Sequence, residues 1–568
     1  MVINVNDPIT LHLSKYTAKD AKKGDRFLGP WCEPLEFFKD DSYFLCDTYL
    51  DFKELKKRKK YCDNLYVNLL QNLTESLNKY HKVNFSQKFW EVLLSNWLTF
   101  VIDNLHFYYL CLKSTQPQKY VVPINDYFPY NKLSDVFVSV YKDEYIFSLL
   151  SFLVKTGRFS NLSHYEIPCS LERTPEVRKP NMIRSLAFKL FNKKSSKNLS
   201  YGIVGMNKWD YLKIFLLHPN YAQSFKNYNT SYKVNADKKR KFTLGSLSES
   251  SEFSILLTKF IEKNIPTTLV DNFDVLVKNA CDYKNKLKII ASTGMYYDEQ
   301  LIEIALAKQW NNAKIFSVQE AGNGLSEFES SEKYLYLPID HYITWGWSTH
   351  LGIRDMFVPA SSRLSTIKNT HKESSESILY YTKFPIMYAW AYNSINPRNW
   401  KRYMENRIDF MRYIGEHSLN QNLVLKLHHS RTKGYDEHEL MNMYNFSYNE
   451  YKSESGINML NCAILYVDYL SGAVLEAMVS NTPIVMCFDE SVQSPSDEFR
   501  VAINKFKNVG IAFDSPSEAA LQISNIYPNR KEFWNSNEIQ LVREWFLGNF
   551  VNTSKDWLKD TLKVISNL

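Results

Sequence analysis

A chain of 568 residues is too long for one hydrophobic core, which excludes a single small module and points to two or three domains. With 45% hydrophobic and 23% charged residues, the composition excludes wholesale disorder. The 69 basic and 61 acidic side chains leave a net charge of +8, mild for this length; it suits anionic ligands or an anionic membrane face and does not call for nucleic acid.

The N-terminal residues 1–16 carry no basic stretch followed by an apolar run, so no signal peptide is expected there. The eight Cys show no paired metal-ligand spacing, and reduced thiols without an export signal indicate the cytoplasm. Leu65, Leu69, Leu73 and Leu77 recur every four residues and predict a helix from Leu55 to Lys79. A second helix, Trp90 to Leu112, is denser in apolar residues, as a helix buried on several sides would be. Its apolar part from Trp97 is too short and too polar to span a bilayer, being interrupted by Asp103, Asn104 and His106. His81 and His106 read as packing or capping residues. The run Lys56 to Lys60 reads as a solvated helix face, and Lys238 to Lys241 leaves open a peripheral contact with acidic lipids of the inner membrane.

Residues 1–190 are thus expected to form a helix-rich region. Residues 191–255 turn polar and irregular, which predicts either an insertion or a mobile active-site loop. Across 256–364 strands alternate with helices: strand Lys288–Ser292, helix Asp298–Trp310, strand Ala313–Val318, then strand Tyr342–Trp347. A polar stretch at 365–377 reads as a linker. The alternation restarts across 378–535 with strand Ile378–Thr382, helix Arg398–Gly415 and strands Leu423–Leu427 and Ala463–Val467, then helix Ala473–Val479 and strand Pro483–Phe488. Residues 536–568 predict two helices that cross back to the earlier domain. The fold class is therefore α/β, with two Rossmann-like domains in a GT-B-like arrangement and a helical N-terminal region.

Parallel sheets collect ligands beyond the C-terminal ends of their strands, so three strand ends carry the candidate chemistry. At Asp468-Tyr469-Leu470-Ser471-Gly472 a strand passes through a small polar turn into a helix. The free N–H groups of that helix start, with Gly472 allowing close approach, predict an anion site, and Glu476 one turn later is placed to accept from ribose hydroxyls. The plainer alternative is a turn with Ser471 as N-cap. At Lys426-Leu427-His428-His429-Ser430-Arg431 a strand delivers Lys426, His428 and Arg431 either as a clamp for a diphosphate or nucleoside monophosphate, or as a basic surface turn. The pair of His lacks a third ligand, so no metal site is expected. At Gln319 to Gly324, Gln319, Gly322 and Gly324 predict a cleft-lining turn, with Glu320 as candidate base and Asp340 as a second candidate. Trp345 reads as packing, or as a stacking face for a sugar.

In order along the chain, Phe27-Leu28-Gly29-Pro30-Trp31-Cys32, Leu77-Asn78 to His81, Phe89-Trp90-Glu91-Val92-Leu93-Leu94, Asn96-Trp97-Leu98, Tyr297-Asp298-Glu299 and Thr344-Trp345-Gly346-Trp347 resemble the LIC12162 transferase family of surface-polysaccharide gene clusters. Two segments depart from it. The family's QHGG-x-YG stands here as Gln319-Glu320-Ala321-Gly322-Asn323-Gly324, without the His, and its R-x-YP-x-D is replaced at Lys426 to Arg431. Gln319 and Gly322 carry over; a catalytic histidine does not. His428 is the better match to the HP motif of transferases that use CMP-activated sugars, with the Pro absent. The resemblance implies a metal-independent glycosyltransferase of O-antigen or capsule assembly, with no cofactor. It would take a nucleotide-activated donor, CMP- or CDP-linked in one version, and a glycan or lipid-linked glycan acceptor. A CDP-polyol phosphate transferase and an inactive binding or scaffold member of the same fold are the alternatives.

Overall fold

The computed structural model describes residues 10–14, 25–32, 52–114, 119–124, 144–156, 163–168, 198–200, 221–223, 242–245, 251–280, 289–292, 298–327, 330–350, 355–383, 399–426, 441–446, 448–451 and 460–568, with isolated positions between them. His428 and Arg431 of the expected clamp, and the Lys238 to Lys241 run, lie outside the described residues.

Three all-parallel sheets organise the described chain. The first comprises β1 (Thr10–His12), β2 (Arg26–Phe27), β3 (Lys119–Ile124) and β4 (Ser163–Pro168), in the order β2-β1-β3-β4. The second comprises β5 (Asn198–Ser200), β6 (Tyr221–Gln223), β7 (Ile289–Ser292), β8 (Lys314–Val318), β9 (His341–Thr344) and β10 (Phe357–Pro359), in the order β10-β9-β8-β7-β5-β6. The third comprises β11 (Ile378–Tyr381), β12 (Leu423–Lys426), β13 (Asn449–Glu450), β14 (Ile464–Val467), β15 (Ile484–Cys487) and β16 (Ala512–Phe513), in the order β13-β12-β11-β14-β15-β16. The second and third sheets, with their helical crossovers, are two Rossmann-like domains in a GT-B arrangement. The N-terminal region carries the two expected helices, Phe52–His81 and Gln87–Ser114, and also the first sheet, which its periodicity did not announce. The 191–255 stretch is more than an insertion, since β5 and β6 complete one side of the second sheet.

The sequence explains the central elements. The β14 and β15 strands, Ile-Leu-Tyr-Val and Ile-Val-Met-Cys, are buried at every position, as expected of parallel strands covered on both faces. Between them, helix Gly472–Ser480 starts at the N-cap Ser471 and stops at Asn481, whose left-handed backbone (φ 68°) ends the helix. Helix Gln87–Ser114 is buried along almost its whole length, and its Asp103 pairs with Lys59 of the preceding helix at 3.1 Å. That pairing turns part of the Lys56 to Lys60 run inward. Lys59 and Arg58 are largely covered, while Lys56, which reaches Glu327, stays exposed together with Lys57 and Lys60, as expected of the run.

The domains meet through named contacts. Ser326 pairs antiparallel with Pro495, Glu327 N–H donates to the Ser494 carbonyl (2.9 Å), and Ser496 N–H donates to the Leu325 carbonyl (2.9 Å). The chain end returns across the boundary. Asn552 N–H donates to Trp345 O, Ser362 N–H donates to Asn552 O (2.7 Å), and Ile565 of helix Trp557–Asn567 packs with Phe316, Val318 and Ile343 of the second sheet. No helix among the described residues is long and apolar enough to cross a membrane.

Candidate functional site

The loops that leave the C-terminal ends of β8 and β14 meet backbone to backbone. A Cβ on Gly322 would stand 2.8 Å from both Gly472 N and Ser471 C, and one on Gly472 would stand 3.4 Å from Gly322 N. The glycines predicted to admit a ligand are thus also what lets the two loops approach each other. The Ser471 hydroxyl accepts from Ala473 N–H at 3.0 Å, so its side chain caps the helix start.

The first-domain wall of this seam is tied down firmly. Gln319 is buried, and its Oε1 accepts from Trp345 N–H (2.8 Å) and Trp347 Nε1 (2.9 Å) while its Nε2 donates to Ala321 O (3.0 Å). Gln319 therefore links the glycine loop to the Trp-Gly-Trp loop from beneath and presents no free amide to the cleft. Gly324 holds φ +85° over the Trp347 ring, and its N–H donates to the Glu332 carboxylate (3.1 Å), which also accepts from Tyr336 OH (2.7 Å). Ser496 Oγ donates to Gly324 O at 2.9 Å from the opposite domain. Trp345 is buried beneath Arg363, whose guanidinium carbon lies 5.5 Å from its ring centroid.

Two carboxylates flank the seam, Glu320 from the glycine loop and Glu476 from helix Gly472–Ser480. Both are held above the usual carboxylate range by burial, and both are pulled back down by the charge of Arg363. One cation thus serves two carboxylates on opposite domains. Beside them, Tyr381 at the end of β11 and Tyr469 after β14 lie parallel, with centroids 6.1 Å apart and planes 16° apart. Lys383 Nζ sits 5.8 Å from the Tyr469 ring centroid, and Lys426, in register with Tyr381, sits 5.3 Å from the Tyr451 ring.

Two sequence expectations are corrected here. Asp340 precedes β9, at the N-terminal ends of β8 and β9 and so at the opposite end of these strands from Glu320. Both its oxygens accept from Lys308 Nζ (2.9 and 3.0 Å), and Oδ2 also accepts from Ile315 N–H (2.8 Å). It closes that end of the sheet and is too remote to act as a base at the seam. Asp468 does end β14 beside the seam, but its carboxylate turns into the core. It accepts from Tyr380 OH and from Tyr403 OH (2.9 Å), near the buried Arg407, whose Nη2 donates to Tyr403 OH at 3.0 Å. Burial raises its pKa, with Arg407 acting against that rise. Asp468 holds the strand end from within and does not reach for a donor.

The structure therefore gathers Glu320, Gly322, Ser471, Gly472 and Glu476 at one seam, with Gln319, Gly324 and Trp345 supporting it. Sequence reasoning missed Arg363, Tyr381, Tyr469 and Glu332. Tyr381 lies within the predicted strand Ile378–Thr382 and Tyr469 within the turn after strand Ala463–Val467, so both could have been found by weighing the aromatic residues at those strand ends; Arg363 stands in a Ser-rich stretch with no periodic signal. Among the described residues, no group of three His, Cys, Asp or Glu side chains is placed to hold a metal ion.

The family model described as LIC12162 family transferase matches residues 10–565, nearly the whole chain. Among solved structures, Acinetobacter baumannii MurG aligns at 9% identity with a TM-score of 0.33, covering 65% of this chain and 98% of that one. A mutant of the Thermobaculum terrenum O-GlcNAc transferase aligns at 9% identity with a TM-score of 0.32, covering 84% of this chain and 91% of that one. Likeness at this level carries over neither substrate nor residue roles. No curated protein matches the chain.

Proposed function

The chain belongs to the LIC12162 family of transferases, and on that premise we propose that it transfers a sugar from a nucleotide-activated donor to a glycan acceptor. The observation that carries this reading is the seam itself, where the N-terminus of helix Gly472–Ser480 meets the glycine loop of the facing domain between Glu320, Glu476 and Arg363. The positive dipole end of the helix favours a phosphate, although Ser471 already takes the Ala473 and Val474 N–H groups, and parallel aromatic faces at Tyr381 and Tyr469 favour a planar base. Glu320, on the opposite domain from the donor elements, is the base that takes the proton of the attacking acceptor hydroxyl. Its elevated pKa brings it nearer the working pH of a proton acceptor.

The reaction then has a simple balance. The acceptor oxygen bonds to the anomeric carbon, the bond from that carbon to the donor's phosphate oxygen breaks, and the proton passes to Glu320. The setting we propose is surface-polysaccharide assembly, as the sequence resemblance implies. The acceptor would be an O-antigen or capsule glycan, free or lipid-linked, and the protein would work in the cytoplasm with peripheral contact at the inner membrane.

A thermal-shift panel of CMP, CDP, UDP and GDP tests the donor side. Selective stabilisation by one base is expected, and cytidine would bring the CDP-polyol alternative forward. Donor hydrolysis that disappears in Glu320→Gln while nucleotide binding persists is expected of the base. Hydrolysis that continues unchanged would remove Glu320 from that role. A protein that answers no nucleotide would leave the scaffold reading in its place.

A further inference from the structure

Among the described residues, Arg363 is the charged group whose field reaches both carboxylates of the seam, and its setting is that of a cation with a donor to spare. It opens a 3-10 turn, Arg363–Ile367, that is capped by the Ser362 hydroxyl accepting from Leu364 N–H (3.0 Å) and that packs against helix Gly472–Ser480. The guanidinium lies over the Trp345 ring at 5.5 Å, and Trp345 is itself fixed by Gln319. Ring and turn together hold the side chain in place before any ligand arrives, so little freedom remains to be lost on binding. Among the described residues, its Nε is buried with no hydrogen-bond partner. A buried donor left unmatched in an otherwise well-satisfied loop needs an explanation, and an anionic ligand supplies one.

We propose that Arg363 is the phosphate-holding residue of this seam, presenting its planar fork to two oxygens of the nucleotide phosphate that departs in the transfer. The proposal rests on the donor reading above and adds to it the residue and the ligand group. The turn that carries Arg363 packs against helix Gly472–Ser480, and the Trp345 beneath it is tied through Gln319 to the glycine loop, so the phosphate would sit beside elements of both domains. When the phosphate draws on Arg363, Glu320 loses its share of the neighbouring positive charge. Its affinity for the acceptor proton then rises as the donor binds, which couples donor arrival to the strength of the base.

The test is a calorimetric titration of the full chain with a nucleoside, its monophosphate and its diphosphate, using the base selected by the thermal-shift panel. Wild type is compared with Arg363→Met, which keeps a stem over Trp345, and with Arg363→Lys, which keeps the charge without the fork. The diphosphate is expected to lose about tenfold or more in affinity in Arg363→Met. The nucleoside is expected to stay within about twofold, and Arg363→Lys to recover part of the loss. An unchanged ratio of diphosphate to nucleoside affinity in Arg363→Met would overturn the assignment while leaving the donor reading intact. An equal loss for nucleoside and diphosphate would also overturn it, because Arg363 would then shape the seam without holding phosphate. Wild type that binds no nucleotide would overturn the donor reading and the assignment together.

Discussion

Gly322→Ala is the smallest change that should disturb the seam. The added methyl would lie 2.8 Å from Gly472 N and from Ser471 C, about 0.6 Å inside an ordinary contact of 3.4 Å, and 3.1 Å from Leu325 Cδ1. Two of these neighbours are backbone atoms of a helix start, so no side-chain rotation relieves the clash. Gly322 is not among the glycines with positive φ, so alanine suits its backbone and the effect is steric alone. Overpacking by one methylene-sized group costs about 1–3 kcal/mol. Separating the loops to relieve it would weaken a ligand that needs both walls by about 5- to 150-fold. The assay is calorimetric titration with the nucleotide that stabilises wild type, alongside Gly415→Ala as a control. Gly415 lies in helix Trp400–Glu416 with nothing within 4 Å of its added Cβ, so its alanine variant should bind as wild type and gain about 0.5–1 kcal/mol of helix stability. Gly322→Ala that binds as tightly as the Gly415 variant would refute the closed seam as the binding form.

Asp468→Ala should destabilise the C-terminal domain by about 3–5 kcal/mol, because it leaves the Tyr380 and Tyr403 hydroxyls without their buried acceptor and Arg407 without the neighbouring carboxylate; urea unfolding followed by tryptophan fluorescence would read it, and a loss under 1 kcal/mol would argue against the network. The rate should fall as pH drops through the pKa of Glu320, which burial raises and Arg363 opposes, so its acid limb should lie above that of an ordinary carboxylate and move higher still in Arg363→Met. A limb unmoved in that variant would separate Arg363 from Glu320. Stability carries the same sign. A carboxylate with a raised folded pKa is destabilising once ionised, so Glu476→Gln should stabilise the protein at neutral pH and make no difference well below the ordinary carboxylate pKa; melting curves at about pH 3 and pH 8 check this.

The strands of the two Rossmann-like domains were legible because they are continuous apolar runs. Those around Ile315, Leu465 and Val485 fall within a residue or two of their predicted limits. The β2, β13 and β16 strands have two residues each, too short for periodicity to register. Glycine-rich turns after strands were equally legible, and the seam could be anticipated from Gly322 and Gly472. What a side chain does at a strand end was not. Asp468 and Asp340 look alike in sequence as carboxylates bordering strands, yet one turns inward to two tyrosines and the other lies at the far end of its strands. Arg363 was illegible for a different reason, since its partners come from residues 320, 345 and 476 and only the packed domains bring them together.

The central claim is that a nucleotide-activated donor binds at the seam between the glycine loop and the start of helix Gly472–Ser480. A crystal structure with the nucleoside diphosphate that stabilises the protein tests it most directly. Phosphate density is expected within hydrogen-bond reach of the Gly472 helix start and the Arg363 guanidinium, with the base against Tyr381 and Tyr469. A nucleotide held elsewhere, with Arg363 still on Trp345 alone, would contradict that claim.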